Sequence, residues 1–287
     1  MPLKFYSPLR YPGGKTCIYR FVSSFLHENG LVGCSYAEPY AGGAGLALKL
    51  LVNGDVREVH LNDLDRRIVA FWRTVICRAD DFCEWLERVE VTIQQWRFFK
   101  EVLSSKGVDD FELAKAVFFL NRTNVSGVIK GGPIGGYEQQ GKYKLDVRFK
   151  KTELIERILN IAQHRGRIKI TSFDGCEFVK RISKSRKQFF VYLDPPYVQK
   201  ADGLYMNFYK EDDHRKLRET VKVMRKDWLV SYDNHDLIHH LYQDENRLCY
   251  RLSQSTSNRI GDEVLIFPRH LRAQESLEFL NTPVILV

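Results

Sequence analysis

Asp194-Pro195-Pro196-Tyr197 directly follows an uncharged run, Phe189-Phe190-Val191-Tyr192-Leu193, so these four residues leave the end of what reads as a buried strand. Two consecutive prolines stiffen the turn and remove two backbone donors, leaving carbonyls that only accept. A carboxylate beside such carbonyls suits a reacting group that carries two N–H donors. The exocyclic amine of adenine is such a group, and it is a poor nucleophile because its lone pair is delocalised into the ring. With one N–H on the Asp194 carboxylate and the other on the Pro195 carbonyl, the nitrogen is held nearer to tetrahedral and its lone pair aims at a methyl donor. Geometry then substitutes for basicity. Tyr197 offers an aromatic face for a base that has left the duplex, as chemistry on a base inside DNA requires. The simpler alternative is a rigid strand-end turn with a packed tyrosine; the apolar strand and its terminal carboxylate favour the site.

A second candidate lies upstream, in Ala37-Glu38-Pro39-Tyr40-Ala41-Gly42-Gly43-Ala44-Gly45. This glycine turn lacks the Gly-Lys-Ser/Thr end of a phosphate cradle, but lets backbone approach an uncharged or zwitterionic cofactor closely. Asp63, at the end of the next strand, is placed either to bind ribose hydroxyls or to cap a helix opening at Leu64. Metal chemistry is not indicated. Cys17, Cys34, Cys77, Cys83, Cys176 and Cys249 lie far apart without a CxxC pair, which suggests neither a zinc site nor a disulfide framework. His214 and the pair His239-His240 read as capping and surface residues.

The elements that must position these residues follow from periodicity. Ile18, Phe21, Val22 and Phe25 recur at helical spacing until Asn29-Gly30; a short strand over 34–38 runs into the glycine turn; a helix ends at Asn53-Gly54; and a strand covers 56–61. Residues 64–124 read as wholly helical and interrupt the strand–helix alternation. From 125 to 150, five glycines precede Tyr137 and alternation follows, which predicts a hairpin or a long glycine-hinged loop. Alternating helices and strands return after Lys151. The sum is an α/β fold, a doubly wound, mostly parallel, Rossmann-like sheet over 1–67 and 151–287, with an inserted, mainly helical domain plus hairpin over 68–150. The tail after Pro268 carries no legible motif.

The 287 residues are 44% apolar and 28% charged, which excludes disorder and fits one large domain with an insertion. No stretch approaches the ~18 apolar residues of a membrane helix, and the N-terminus lacks a secretory h-region, so a cytoplasmic protein is expected. The net charge of +8 is a modest invitation to polyanions. It is concentrated mid-chain, with fourteen Lys or Arg against five acids between Lys142 and Lys187.

Arg10-Tyr11-Pro12-Gly13-Gly14-Lys15, the Glu38 glycine turn, Asn62-Asp63-Leu64-Asp65, Ser172-Phe173-Asp174 and Asp194-Pro195-Pro196-Tyr197, in this order, resemble the motifs of the Dam-type family of adenine-specific DNA methyltransferases. The resemblance spans about residues 8–267, and its order is similar to the family's α arrangement, with the insertion as target-recognition domain. It implies S-adenosyl-L-methionine as cofactor, base flipping, and methylation of the adenine 6-amino group in double-stranded DNA, with a cognate restriction endonuclease as a partner in a restriction-modification setting. It implies cofactor contacts from Tyr11, Gly13, Gly14, Lys15, Glu38, Pro39, Tyr40 and Gly42, from Asp63 to the ribose and from Phe173 and Asp174 to the adenine. Asp194 would position the amine, with Pro195, Pro196 and Tyr197. Asn121, Arg122, Ser126 and Lys130 resemble the segment entering the recognition hairpin; Ser126-Gly127 stands where members specific for GATC carry Asn-Gly, and Lys130 where they carry an arginine that reads guanine. Lysine donates to guanine without arginine's planar fork. Lys142, Lys144, Arg148 and Lys150 are placed to meet phosphates or to form a solvated basic face. Tyr205 and Phe208 border the flipped base or pack a loop, and Asn234 joins the site wall. The alternatives are the same fold acting on RNA or a protein amide, and a catalytically silent DNA-binding regulator.

Overall fold

Alternating apolar runs and helix-capping signals become two compact units in the computed structural model, which describes residues 6–11, 13–198, 209–253 and 260–286. One unit comprises Met1–Gly14 with Asp65–Ile170, the other Lys15–Leu64 with Thr171–Val287. The division differs from the sequence boundaries at 1–14, 65–67 and 151–170, which group with the helical unit. The reason lies in side chains of that unit that bind the N-terminal segment: Asn121 binds Arg10, Arg122 reaches the Pro8 carbonyl and Arg157 the Ser7 carbonyl.

The second unit holds the sheet, apart from residues 168–170 of one edge strand. Its helices α1 (Tyr19–Glu28) and α2 (Gly45–Asn53) each bury one apolar stripe, with Phe21, Val22, Phe25 and Leu26 inward on α1. Each such side chain contributes roughly 1.5–3 kcal/mol. Gly54, at a φ of 83°, closes α2 in the left-handed conformation that glycine adopts without penalty. Strands β1 (Ser35–Glu38), β2 (Glu58–Asn62), β3 (Ile168–Thr171), β4 (Phe189–Leu193), β5 (Asp227–Asp233), β6 (Asn246–Ser253), β7 (Ile260–Phe267) and β8 (Asn281–Leu286) form one sheet of order β3-β2-β1-β4-β5-β7-β6-β8. β1 pairs in parallel with β2 and β4, and β4 with β5; β7, β6 and β8 continue antiparallel. β4 is buried along its whole length. β8 lies in the tail where the sequence offered no motif.

In the helical unit, α3 (Arg66–Cys77), α4 (Ala79–Arg88), α5 (Ile93–Ser104), α6 (Asp110–Thr123) and α7 (Lys151–Gln163) enclose an aromatic core. Phe71 stacks on Phe118 at 5.8 Å, Phe82, Trp85 and Phe149 meet Phe118 edge-on, and Phe119 and Phe99 extend the cluster from Phe149 in tilted contacts. Residues 125–150 form no strand ladder. Of the two expected forms the glycine-hinged loop is the one present, with a single antiparallel bridge, Asn124 to Pro133, and short 3-10 turns at Val125–Gly127 and Leu145–Arg148. Glycines at positive φ, Gly127, Gly135 and Gly136, turn the chain too often for two strands to run side by side. Three helices of the second unit complete the fold: α8 (Gly175–Ser183), α9 (Glu211–Lys222) and α10 (Asp236–Leu241). Among the described residues, no helix is long and apolar enough to cross a membrane.

Candidate active site

β1 has β2 on one side and β4 on the other, so the strand order reverses between β1 and β4, where ligands of open α/β sheets bind at the carboxyl edge. Glu38 ends β1, and Asp194 follows β4 at that edge. The Asp194 carboxylate is held from two directions. Lys15 Nζ lies 3.0 Å from Oδ2, and Ser231 Oγ, from β5, donates to Oδ1 at 2.8 Å. Tyr192 Oη donates to Ser231 Oγ at 2.9 Å, which leaves the Ser231 proton for Asp194. Lys15, only 5% exposed, also approaches Glu263 at 3.9 Å, and its ammonium stands 5.0 Å from the centre of the Tyr197 ring. Glu263 accepts from Tyr250 Oη at 2.8 Å. Pro195 is buried and Pro196 half-buried. Tyr197 is packed at 7% exposure beside Tyr232, so its ring face, expected for stacking, is covered in this arrangement.

Glu38 accepts from Tyr36 Oη at 3.0 Å, but burial first, and the nearby Asp194 charge in addition, push its pKa up to about 8. It is therefore mostly protonated at neutral pH. The turn that follows is built by β2. Ala41 N–H bonds the Asn62 carbonyl at 2.9 Å, and Gly42 N–H bonds Asp63 Oδ2 at 2.9 Å. Gly42 and Ala44 sit at φ of 44° and 47°, and Ala44 enters α2 from that left-handed conformation. Asp63 does not cap a helix: the N-cap of α3 is Asp65, whose carboxylate accepts from Arg67 N–H. Asn62, to which no role was given from sequence, joins both halves of the site. Its amide donates to the carbonyls of Pro39 (3.0 Å) and Phe173 (2.9 Å) and accepts from Phe173 N–H (2.8 Å) and Thr171 Oγ1 (2.9 Å). Its signal was the neighbouring motif residue Asp63. Asp174 caps α8 by accepting from Cys176 and Glu177 N–H, and the Phe173 ring lies 4.1 Å from the Arg181 guanidinium carbon. Tyr40 Oη meets Tyr209 Oη at 2.7 Å.

Residues 11–253 match the sequence model of the D12 class N6 adenine-specific DNA methyltransferases. The chain belongs to this family. No curated protein sequence matches it. Among solved structures it is similar to SMU.472, provisionally assigned as a methyltransferase and complexed with SAH, with 10% identity and a TM-score of 0.28. That likeness covers 71% of this chain and 57% of the other, so this chain spans little more than half of that protein's length.

In this D12 class chain the remaining expected residues divide by burial. Tyr11, Gly13 and Gly14 belong to the helical unit and form a turn in which Gly14 N–H bonds the Tyr11 carbonyl at 3.1 Å. Asn121 and Arg122, expected at a DNA surface, are instead 4% and 8% exposed. Asn121 donates to the carbonyls of Arg10 (2.7 Å) and Gly127 (2.9 Å) and accepts from Arg10 N–H (2.7 Å); Arg122 Nε donates to the Arg148 carbonyl at 2.7 Å. They hold the loop's backbone because a buried guanidinium or amide must satisfy its donors internally. Burial, with Arg10, Arg157 and Arg148 nearby, pushes Arg122 down to about 9. Ser126 is half-buried at a φ of 56°, whereas Lys130, Lys142, Lys144, Arg148 and Lys150 are exposed. His214 is neither a cap nor a surface residue but is buried on α9, while His240 is exposed. Asn234 is exposed after β5. Tyr205 and Phe208 lie outside the described residues.

Proposed function

We propose that the chain transfers a methyl group from S-adenosyl-L-methionine to the exocyclic amine of a flipped adenine in double-stranded DNA. The observation that carries this reading is the Asp194 carboxylate at the switch point, oriented by Ser231 and followed by a proline carbonyl. The residues fit the cofactor: the glycine turn is buried, contains no cation to cradle a phosphate, and is flanked by Glu38, Asp63, Phe173 and Asp174. Glu38, Pro39, Tyr40, Gly42, Asp63, Phe173 and Asp174 would hold it, and bound there it supplies an electrophilic methyl group. Asp194 and the Pro195 carbonyl each accept one amine N–H and turn the nitrogen lone pair out of the ring plane. One amine N–H takes the place of the Lys15 donor on Asp194. As the carbon–nitrogen bond forms and the carbon–sulfur bond breaks, the nitrogen's surplus proton leaves along its hydrogen bond to Asp194.

Asp194→Ala is expected to lower methyl incorporation into DNA by at least about a hundredfold while cofactor binding, measured by calorimetry, persists. Full activity in that variant overturns the assignment. The helical unit, residues 65–170 with the N-terminal segment, serves in this reading as the target-recognition domain, with exposed Lys130, Lys142, Lys144, Arg148 and Lys150 toward phosphates. Methylated sites would resist a cognate restriction endonuclease, which digestion of DNA from an expressing host reads directly.

A further inference from the structure

His214 closes the first turn of α9 and is 1% exposed, although it stands in the charged run Glu211-Asp212-Asp213-His214-Arg215. Its imidazole is edge-on between two tyrosines, with ring centres 5.4 Å from Tyr209 and 5.4 Å from Tyr232. Nδ1 lies 3.0 Å from Tyr232 Oη, at the carboxyl end of β5, and Nε2 is buried without a partner. A buried ring nitrogen without a partner costs about 1–3 kcal/mol, so hydrogen bonding alone does not explain a histidine here. Its ring packs edge-on against that of Tyr209. Tyr209 in turn bonds Tyr40 through the 2.7 Å hydroxyl contact, with ring centres 6.0 Å apart at 82°.

Tyr40 is held at its other end as well, because the carbonyl of the preceding Pro39 accepts from Asn62. Its hydroxyl lies so close to Gly175 that a Cβ there would come within 2.5 Å, which places the ring tip beside Asp174 at the start of α8. Tyr40 thus bridges the turn after β1 and the Phe173-Asp174 segment, and its hydroxyl is oriented from outside both by Tyr209. We infer that His214 is a positioning residue for the adenosyl cofactor: by clamping Tyr209 between itself and Tyr40, it fixes the Tyr40 wall of the cofactor site. The inference rests on the reading of Tyr40 as a cofactor contact.

The test separates cofactor affinity from folding and from DNA binding. His214→Ala removes the clamp, and Tyr209→Phe removes only the hydroxyl that reaches Tyr40 while keeping the ring in place. Calorimetry with S-adenosyl-L-methionine is expected to show affinity weakened about tenfold in His214→Ala and severalfold in Tyr209→Phe. KM for the cofactor rises in parallel, while KM for DNA and kcat at saturating cofactor stay within about twofold of wild type. His214→Phe, which restores a flat ring beneath Tyr209, is expected to recover most of the affinity. If Tyr209→Phe and His214→Ala bind the cofactor as wild type does, or if both lower apparent kcat only in proportion to lost folded protein with cofactor KM unchanged, the inference is overturned and the functional reading stands. A wild-type chain that binds no S-adenosyl-L-methionine overturns the functional reading and this inference with it.

Discussion

Asp194 illustrates how one carboxylate is made directional. An aspartate at a strand end rotates freely unless its oxygens are engaged, and here Lys15 Nζ lies 3.0 Å from both while the Tyr192-to-Ser231 relay also engages Oδ1. Ser231→Ala removes only the second constraint. Its kcat is expected to fall roughly tenfold to a hundredfold with cofactor affinity unchanged, and Ser231→Thr, which keeps the hydroxyl, to recover most of the rate. Steady-state kinetics at saturating cofactor check this, and an unchanged kcat in Ser231→Ala would sink it. Glu38 makes a different prediction, read in stability. Its folded pKa, about 8, exceeds the ordinary 4.5, so the unfolded chain releases this proton first and stability declines as pH rises from about 4.5 through about 8. Glu38→Gln removes that dependence. The melting temperature of the variant relative to wild type is expected to increase from pH 5 to pH 8, even as cofactor binding weakens. The strand-end placement of Asp194, Glu38 and Asp63 was legible in the sequence because each stands where a short apolar or alternating run stops. Ser231 and Asn62 were not, because a buried hydroxyl or amide reveals its partner only once strands from distant segments are side by side.

At the scale of elements, periodicity was informative wherever one face of an element is buried. The α1 stripe and the uncharged β4 run are cases in which burial writes itself into spacing. It left a hairpin and a glycine-hinged loop both open over residues 125–150, because Lys142-Tyr143-Lys144-Leu145 alternates like a strand although only Leu145 is buried. The loop is ordered instead by polar contacts that no alternation encodes: Asn121 and Asn124 side chains bind its carbonyls, and Trp96 Nε1 binds Asn124 Oδ1 at 2.7 Å. β8 escaped notice for the converse reason, since Thr282 and Pro283 interrupt its pattern and its side chains are mostly exposed. Gly127 is where the loop meets the N-terminal segment, at a φ of 76° with Arg10 carbonyl oxygen 2.6 Å from where a Cβ would stand. Gly127→Ala therefore combines a disfavoured conformation with a backbone clash. It is expected to destabilise the fold by about 2 kcal/mol in urea titration; a variant as stable as wild type would show that the close approach is not required.

For the whole molecule, net charge alone is a weak guide, because the basic excess between Lys142 and Lys187 has two destinations. Its latter part lies at the amino edge of the sheet, opposite Asp194, where Lys187 bonds Glu58 at 2.6 Å and Lys226 Nζ donates to the Ser185 and Lys187 carbonyls. That charge holds strand ends together. Lys144 and Lys150, in the earlier part, also have internal partners, in the Gln139 carbonyl and Glu153. Lys142 and Arg148 remain exposed, together with Lys130 upstream. Phosphate contacts release counterions, so each one lost lowers the salt dependence of affinity by about 0.9 in the slope of log K against log salt. Replacing Lys130, Lys142 and Arg148 by alanine is expected to weaken DNA binding at low salt and to reduce that slope by about 3, with cofactor affinity unchanged. The control pair Lys184→Ala and Arg186→Ala, exposed between α8 and β4, is expected to leave both the slope and the affinity unaltered. Binding titrations across a range of salt concentrations separate the two groups, and a slope that falls with the control pair but not with the loop residues would transfer the DNA contact from the helical unit to the sheet's amino edge.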